Sequence, residues 1–212
     1  MTELYDNHVS SPGFPVQAGG RLEILRYFQD GDFVFLHTRR FPDDGGAPLI
    51  TMELIRSSSP VNTVSRRFVG ARPYKVRNPD ASMVGGECAV VDHGATNLNK
   101  AVVRQFVSDV FIEERLERAP LYLDMANFVS HNPRISPDAA SFIELIRSEI
   151  GHEQSWSYPA IQKLVGEGNF VAVFGPVRFR GEMYAACDLF RLEDGLIVEH
   201  WDIAEPMDNY RA

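Results

Sequence analysis

The chain reads as an α+β protein, helices first and an antiparallel sheet after, preceded by a partial second copy of that sheet. Three observations predict this. Between Thr96 and Ile150 apolar residues recur at steps of three and four; after residue 158 strand-like runs alternate with Gly/Pro turns; and Ile24 to Pro73 can be laid over Ile161 to Pro206 as a degenerate repeat. Residues 1–95 are therefore read as a sheet-only half repeat plus a linker, and residues 96–212 as the complete unit.

The first helix is carried by Val102, Val103, Phe106, Val107, Val110 and Phe111, the stripe of an amphipathic helix that buries one face, with Thr96 or Asn97 as its cap. A short second helix is expected around Leu116 to Leu123. Ser136-Pro137-Asp138 then reads as an N-cap, a proline in the first turn and an acid near the positive end of the dipole. Phe142, Ile143, Leu145, Ile146 and Ile150 give this third helix its buried face.

The strands are Phe170 to Phe174, Met183 to Arg191 and Leu196 to Ile203. Glu193-Asp194-Gly195 joins the last two, because Asp-Gly tolerates the positive φ of a tight hairpin. In the repeat, Gln29-Asp-Gly-Asp-Phe-Val34 falls on Gly166-Glu-Gly-Asn-Phe-Val171, and Met52-Glu-Leu-Ile-Arg56 falls on Cys187-Asp-Leu-Phe-Arg191. Pro73 falls on Pro206. Nothing before Leu22 supplies the helices that cover the second copy's sheet, and an uncovered sheet face needs a partner. The first sheet is expected to pack on the second, within one chain or across a dimer, with Tyr74 to Gly94 as linker.

Of the 212 residues, 44% are hydrophobic and 24% charged, enough for one substantial core or two small ones. The net charge of -8, nearly all of it carried after residue 95, disfavours nucleic acid and anionic membranes as partners. No stretch approaches a membrane span, and MTELYDNHVSSPG is too polar for a secretory signal, so a cytoplasmic location is expected. Cys88 and Cys187 lie far apart with no ligand spacing and read as reduced thiols.

Three stretches carry a family resemblance: Asn99-Lys-Ala-Val-Val-Arg-Gln-Phe106, Phe128-Val-Ser-His-Asn-Pro133, and Asp188-Leu-Phe-Arg-Leu-Glu-Asp-Gly-Leu-Ile-Val-Glu-His-Trp-Asp202. In this order and spacing the second half resembles the SnoaL-like polyketide cyclases, of the nuclear transport factor 2-like (NTF2-like) superfamily that also contains ketosteroid isomerase. The resemblance implies a cone-shaped fold, a curved sheet wrapped around helices, an apolar cavity and dimerisation through the sheet's outer face. It does not imply one reaction, since members include cyclases, isomerases, dehydratases and proteins without catalysis.

Asp188 sits mid-strand with Tyr184, Ala186 and Phe190 on its face by the two-residue period. By the resemblance this position points into the cavity and serves acid/base roles; read from the residues alone, it could instead pair with Arg191 or Arg178. His131 and Asn132 fall where the superfamily sets polar groups at the cavity mouth. Ketosteroid isomerase carries its carboxylate base at about that place, so His-Asn here argues against a carboxylate-based isomerase; the plain alternative is an Asn turn before Pro133. Along the last strand His200 and Asp202 face one side, and Glu199, Trp201 and Ile203 the other. Counting from the hairpin favours His200 for the cavity, while a bulge would favour Trp201.

Asp188, His131, Asn132 and His200 are thus the candidate catalytic residues, and Phe106, Tyr122, Tyr184, Phe190 and Trp201 the candidate aromatic walls. In the first copy Glu53 falls on Asp188, Arg67 on His200 and Phe68 on Trp201, so the chemistry is not duplicated. No metal, nucleotide or other cofactor is expected. Two functions follow: a cofactor-independent acid/base enzyme for a small apolar carbonyl compound, of cyclase or isomerase type, or a non-catalytic binding or self-association module. The partners expected are that small ligand and a second copy, as a homodimer through the sheet faces.

Overall fold

The computed structural model describes residues 20–58, 63–73, 82–149, 157–179 and 181–207. Residues 1–13, residues 74–81 of the expected linker, the side chain of Ile150 and the side chains of Arg67 and Phe68 lie outside that description. The first half is a four-stranded antiparallel meander of β1 (Arg21–Asp30), β2 (Phe33–Phe41), β3 (Leu49–Ser58) and β4 (Thr63–Pro73). The second begins with α1 (Thr96–Phe106), which continues as a π-helical stretch over Val107–Ile112, then a 3-10 turn at Leu116–Leu121 and the two-residue β5 (Val129–Ser130). Next come α2 (Ala139–Glu149), β6 (Lys163–Glu167), β7 (Phe170–Phe179), β8 (Glu182–Glu193) and β9 (Leu196–Pro206). Their five-stranded sheet has the order β5-β9-β8-β7-β6, antiparallel except for β5, which joins β9 in parallel. Among the described residues no helix is long and apolar enough to cross a membrane.

The repeat reappears as register. Phe33 lies opposite Arg56 as Phe170 lies opposite Arg191; Leu36 opposite Glu53 as Val173 opposite Asp188; and Leu49 opposite Pro73 as Tyr184 opposite Pro206. Equivalent faces of the two sheets then meet. Phe28, Phe35, Met52 and Leu54 from the first sheet share one core with Val165, Ala172, Phe174, Cys187, Leu189 and Trp201 from the second. Burying a side chain such as Leu54 or Leu189 contributes about 2 kcal/mol. The packing left open by the sequence is made within the chain. The outer face of the second sheet, where the resemblance sets a dimer contact, is occupied by the chain's own first sheet.

The concave face of the second sheet is filled by helices. Val103, Phe106, Val107 and Val110 from α1 and its continuation, with Phe142 and Ile143 from α2, pack on Val171, Val173, Phe190, Leu192 and Ile197. Three local expectations are corrected. Neither Thr96 nor Asn97 caps α1: its N-cap is Ala95, and the Thr96 hydroxyl instead donates to His93 O at 2.7 Å and accepts from Gly168 N at 2.8 Å. The second helix is a 3-10 turn around Pro120 that stops short of Leu123. At α2 the cap is Asp138, not Ser136, with its carboxylate accepting from Ser141 N at 2.9 Å and from the Ser141 hydroxyl at 2.8 Å. The hairpin behaves as its residues require, with φ of 48° at Asp194 and 78° at Gly195.

Candidate active site

Alternation along β9 divides the polar side chains of the second half into two groups. The register shifts between Arg191 and Leu192, so that Ile197 pairs with Leu192 and His200 with Phe190, and both Ile197 and His200 face the helices. Asp202 follows His200 on that concave face, opposite Asp188. Trp201 and Ile203 point the other way, into the core between the sheets.

On the concave side Asp188 is the hub. It is 7% exposed, its Oδ1 is 2.8 Å from His200 Nε2, and its Oδ2 accepts a hydrogen bond from the Tyr158 hydroxyl. Its partners are thus a phenol and an imidazole; Arg191, on the opposite face by alternation, instead pairs with Glu199 and Glu193. Burial, and then the charge of Asp188, push the Tyr158 phenol well above its ordinary range, so it keeps its proton and acts as a donor. His200 lies between Phe142 and Phe190, ring centroids at 4.8 and 5.0 Å, and among the described residues its buried Nδ1 has no hydrogen-bond partner.

Aromatic rings enclose this group. Tyr158 stacks on Phe111 at 5.4 Å; Phe106 meets Phe111, Tyr122 and Phe190 at 5.3, 5.8 and 5.6 Å. Phe111, Ile112, Tyr122 and Tyr184 stay partly exposed at the rim of the concave core. Of the expected wall residues, Phe106, Tyr122, Tyr184 and Phe190 are on this side. Trp201 is not.

His131 is also on the other side. Ser130 pairs with His200 in the parallel bridge, so the next residue turns to the opposite face while its N–H donates to His200 O at 2.7 Å. There the imidazole stacks on Trp201 at 4.5 Å, with Nδ1 2.8 Å from Ser82 O and Nε2 3.1 Å from Glu199 Oε1. The Arg26 guanidinium lies 4.1 Å from the Trp201 ring centre and donates to the carbonyls of Gly85 and Glu87. Trp201 Nε1 donates to Gly85 O at 3.1 Å. Burial works against the Glu199 carboxylate, but hydrogen bonds from His131 and Arg191 outweigh it and hold the group below its ordinary range. Gly86 fits beside them at φ 89°, where a Cβ would fall 2.4 Å from Glu199 Oε1 and 2.6 Å from Trp201 Cζ2.

Asn132 takes the plain alternative: buried before Pro133, its Oδ1 accepts from Arg134 N at 2.9 Å. The structure therefore joins Asp188 and His200, sends His131 to the opposite face, and engages Asn132 in its own turn. Tyr158, unforeseen from the sequence, completes the group; its only local signal is an aromatic residue before a proline at the entry to the sheet. A second unforeseen acid, Asp109 in the π-helical stretch, is fully buried and bonded by Tyr122, Arg115, Arg118 and Gln105. The Tyr122 hydrogen bond, ahead of those from Arg115 and Gln105, draws its carboxyl down to about 2.

Two surface clefts, of about 320 and 590 Å³, involve residues 87–93: one with Asn169 and Arg191, the other with Ile24, Tyr27 and Glu167. Neither contains Asp188 or His200. Among the described residues no group of three or more His, Cys, Asp or Glu side chains is arranged to hold a metal ion.

No protein-family model matches the chain, and no curated protein does. Among solved structures, one similar in fold is a candidate ketosteroid isomerase from Kribbella flavida, at 16% identity and a TM-score of 0.45 over 52% of this chain and 80% of that one. Another is IdmH, a candidate polyketide cyclase from Streptomyces antibioticus, at 18% and 0.42 over 50% and 91%. A third is an NTF2-like protein of unknown function from Cytophaga hutchinsonii, at 17% and 0.43 over 59% and 100%. Each is a likeness of arrangement over about half of this chain.

Proposed function

We propose that the concave face of the second sheet is the proton-transfer site of a cofactor-independent enzyme acting on a small apolar carbonyl compound, in a reaction of cyclase or isomerase type. One observation carries the reading: a carboxylate and an imidazole 2.8 Å apart, walled by aromatic rings, with the imidazole's second nitrogen buried and, among the described residues, unpartnered. A carbonyl acidifies its neighbouring C–H, so a positioned base can remove that proton without a cofactor. The surrounding rings would exclude water and strengthen the charge interactions that develop.

Proton exchange tests this reading. A panel of small enolisable ketones and β-dicarbonyl compounds is incubated with the protein in D2O, and loss of the α-proton signal is followed by NMR. The parent chain accelerates exchange, and Asp188→Asn lowers the enzymatic rate by roughly 10²- to 10⁴-fold without changing the circular dichroism spectrum. One observation favours a second reading, a non-catalytic binding module: both oxygens of Asp188 are already engaged, as in a finished structural network. That reading predicts that apolar carbonyl compounds bind with no acceleration of exchange.

A further inference from the structure

We infer that Tyr158 is the positioning residue of this site, holding Asp188 so that His200 presents its unpartnered Nδ1 as the proton acceptor. The inference rests on the acid/base reading above and assigns the base to His200 instead of Asp188. Tyr158 is 3% exposed and fixed from two directions. The backbone of its neighbour Ser157 exchanges two 2.9 Å hydrogen bonds with Arg178 on β7, and its own ring stacks on Phe111. From there its hydroxyl reaches Oδ2 of Asp188, leaving Oδ1 for His200 Nε2.

The tautomer follows from this geometry. A phenol that keeps its proton can only donate to Oδ2, and a carboxylate stabilised by donors favours its ionised, acceptor-only form. The proton between Oδ1 and Nε2 then belongs to Nε2. In neutral imidazole the lone pair must be on Nδ1. Buried polar atoms in native proteins nearly always have a partner, so an acceptor at the centre of an aromatic interior with none among the described residues calls for a reason. A substrate C–H delivered to that atom supplies one.

Among the described residues the titratable groups facing the ring are Asp188 from β8, Asp202 beside it on β9, and Tyr158 from the segment before β6; α2 and β8 contribute the rings of Phe142 and Phe190. The proposed step balances within these groups. Nδ1 takes the α-proton, the C–H electron pair forms the enolate, and the imidazolium charge is compensated through Nε2–H by the Asp188 carboxylate. The proton on Nδ1 then returns to another carbon, as in isomerisation, or to the alkoxide formed when the enolate carbon attacks a second carbonyl.

Imidazole ¹⁵N NMR on the full chain, with the His200 resonances assigned by their loss in His200→Gln, tests the arrangement without needing a substrate. Neutral His200 is expected to carry its proton on Nε2, with Nδ1 bare. Tyr158→Phe, which keeps the stack on Phe111 but removes the donor, is expected to lower the share of the Nε2–H tautomer, because Asp188 is then free to turn away from His200. It also lowers ketone exchange at neutral pH several-fold. A proton on Nδ1 in the parent, or a tautomer ratio in Tyr158→Phe identical to the parent's, would overturn the inference. Should Tyr158→Phe fail to fold, the tautomer in the parent alone decides. A parent tautomer on Nε2 that shifts in Tyr158→Phe, with no exchange of any ketone, would sink the enzyme reading while leaving the positioning role of Tyr158 standing.

Discussion

The two faces of β9 carry similar residues toward different ends. On the side facing the first sheet, His131, Glu199, Trp201 and Arg26 form a network in which both nitrogens of His131, both oxygens of Glu199 and the indole N–H of Trp201 have partners. On the side facing the helices, His200 has Nε2 engaged and Nδ1 without a partner among the described residues; on the first-sheet side the same holds only outside this network, at Nε2 of His37, whose Nδ1 lies 3.2 Å from Arg26. A satisfied network rigidifies an assembly, whereas a buried polar atom held without a partner can meet a ligand. A histidine's presence in a buried cluster therefore says little about function until each of its nitrogens is accounted for.

This contrast can be broken by perturbing the assembling face. Trp201→Ala removes the largest fully buried side chain of the inter-sheet core and is expected to cost about 3–5 kcal/mol, read as a lower urea midpoint. An unchanged midpoint would mean that the sheets do not depend on this contact. Gly86→Ala meets a positive φ as well as the Glu199 and Trp201 atoms, and a loss of about 2 kcal/mol is expected from the same measurement.

The pH dependence of stability sharpens the same face. His37, wholly buried and 3.2 Å from Arg26 Nη1, is held well below 6.5, by burial first and then by the charges of Arg26 and His131. A folded pKa below the unfolded one means that only the unfolded chain takes up the proton below pH 6.5. Stability is then fully present above that value and falls as the pH drops, with a limiting slope of about 1.4 kcal/mol per pH unit. Urea midpoints between pH 7 and 5 would display this slope, and His37→Gln is expected to flatten it. Asp109 acts further down: its depressed carboxyl contributes above about pH 4 and loses that contribution as the pH approaches 2.

Much of the second half was legible because period and turn chemistry are local. The α1 stripe, the Asp194-Gly195 hairpin and the sharing of one face by Asp188, Ala186 and Phe190 need only a few neighbouring residues to be read. The repeat was legible too, since Glu53 opposite Val69 keeps the pairing of Asp188 opposite Asp202. It also explains why the first copy lacks the site: Glu53 there is engaged by the Thr51 hydroxyl at 3.1 Å, Thr51 is bonded to Thr38, and Leu36 stands across from it.

Long-range approach decided the rest. The resemblance sets His131 at the cavity mouth, but nothing in Val129-Ser130 announces the two-residue parallel strand whose alternation sends the ring to the far face. Tyr158 reaches Asp188 across thirty residues by a route that no sequence period encodes. The α2 cap differs by two residues for a smaller reason: Ser136 and Asp138 both have capping side chains, and only the position of the first helical turn decides between them.

Proton transfer belongs to the concave histidine in this assignment and assembly to the other. This division of roles is tested most directly by His200→Gln and His131→Gln, each measured for urea stability and for ketone exchange in D2O. His200→Gln is expected to lose exchange by roughly 10²-fold or more in the folded protein, and His131→Gln to lower the midpoint while the folded protein exchanges at the parent rate. Exchange lost only in His131→Gln, or lost equally in both folded variants, would contradict it.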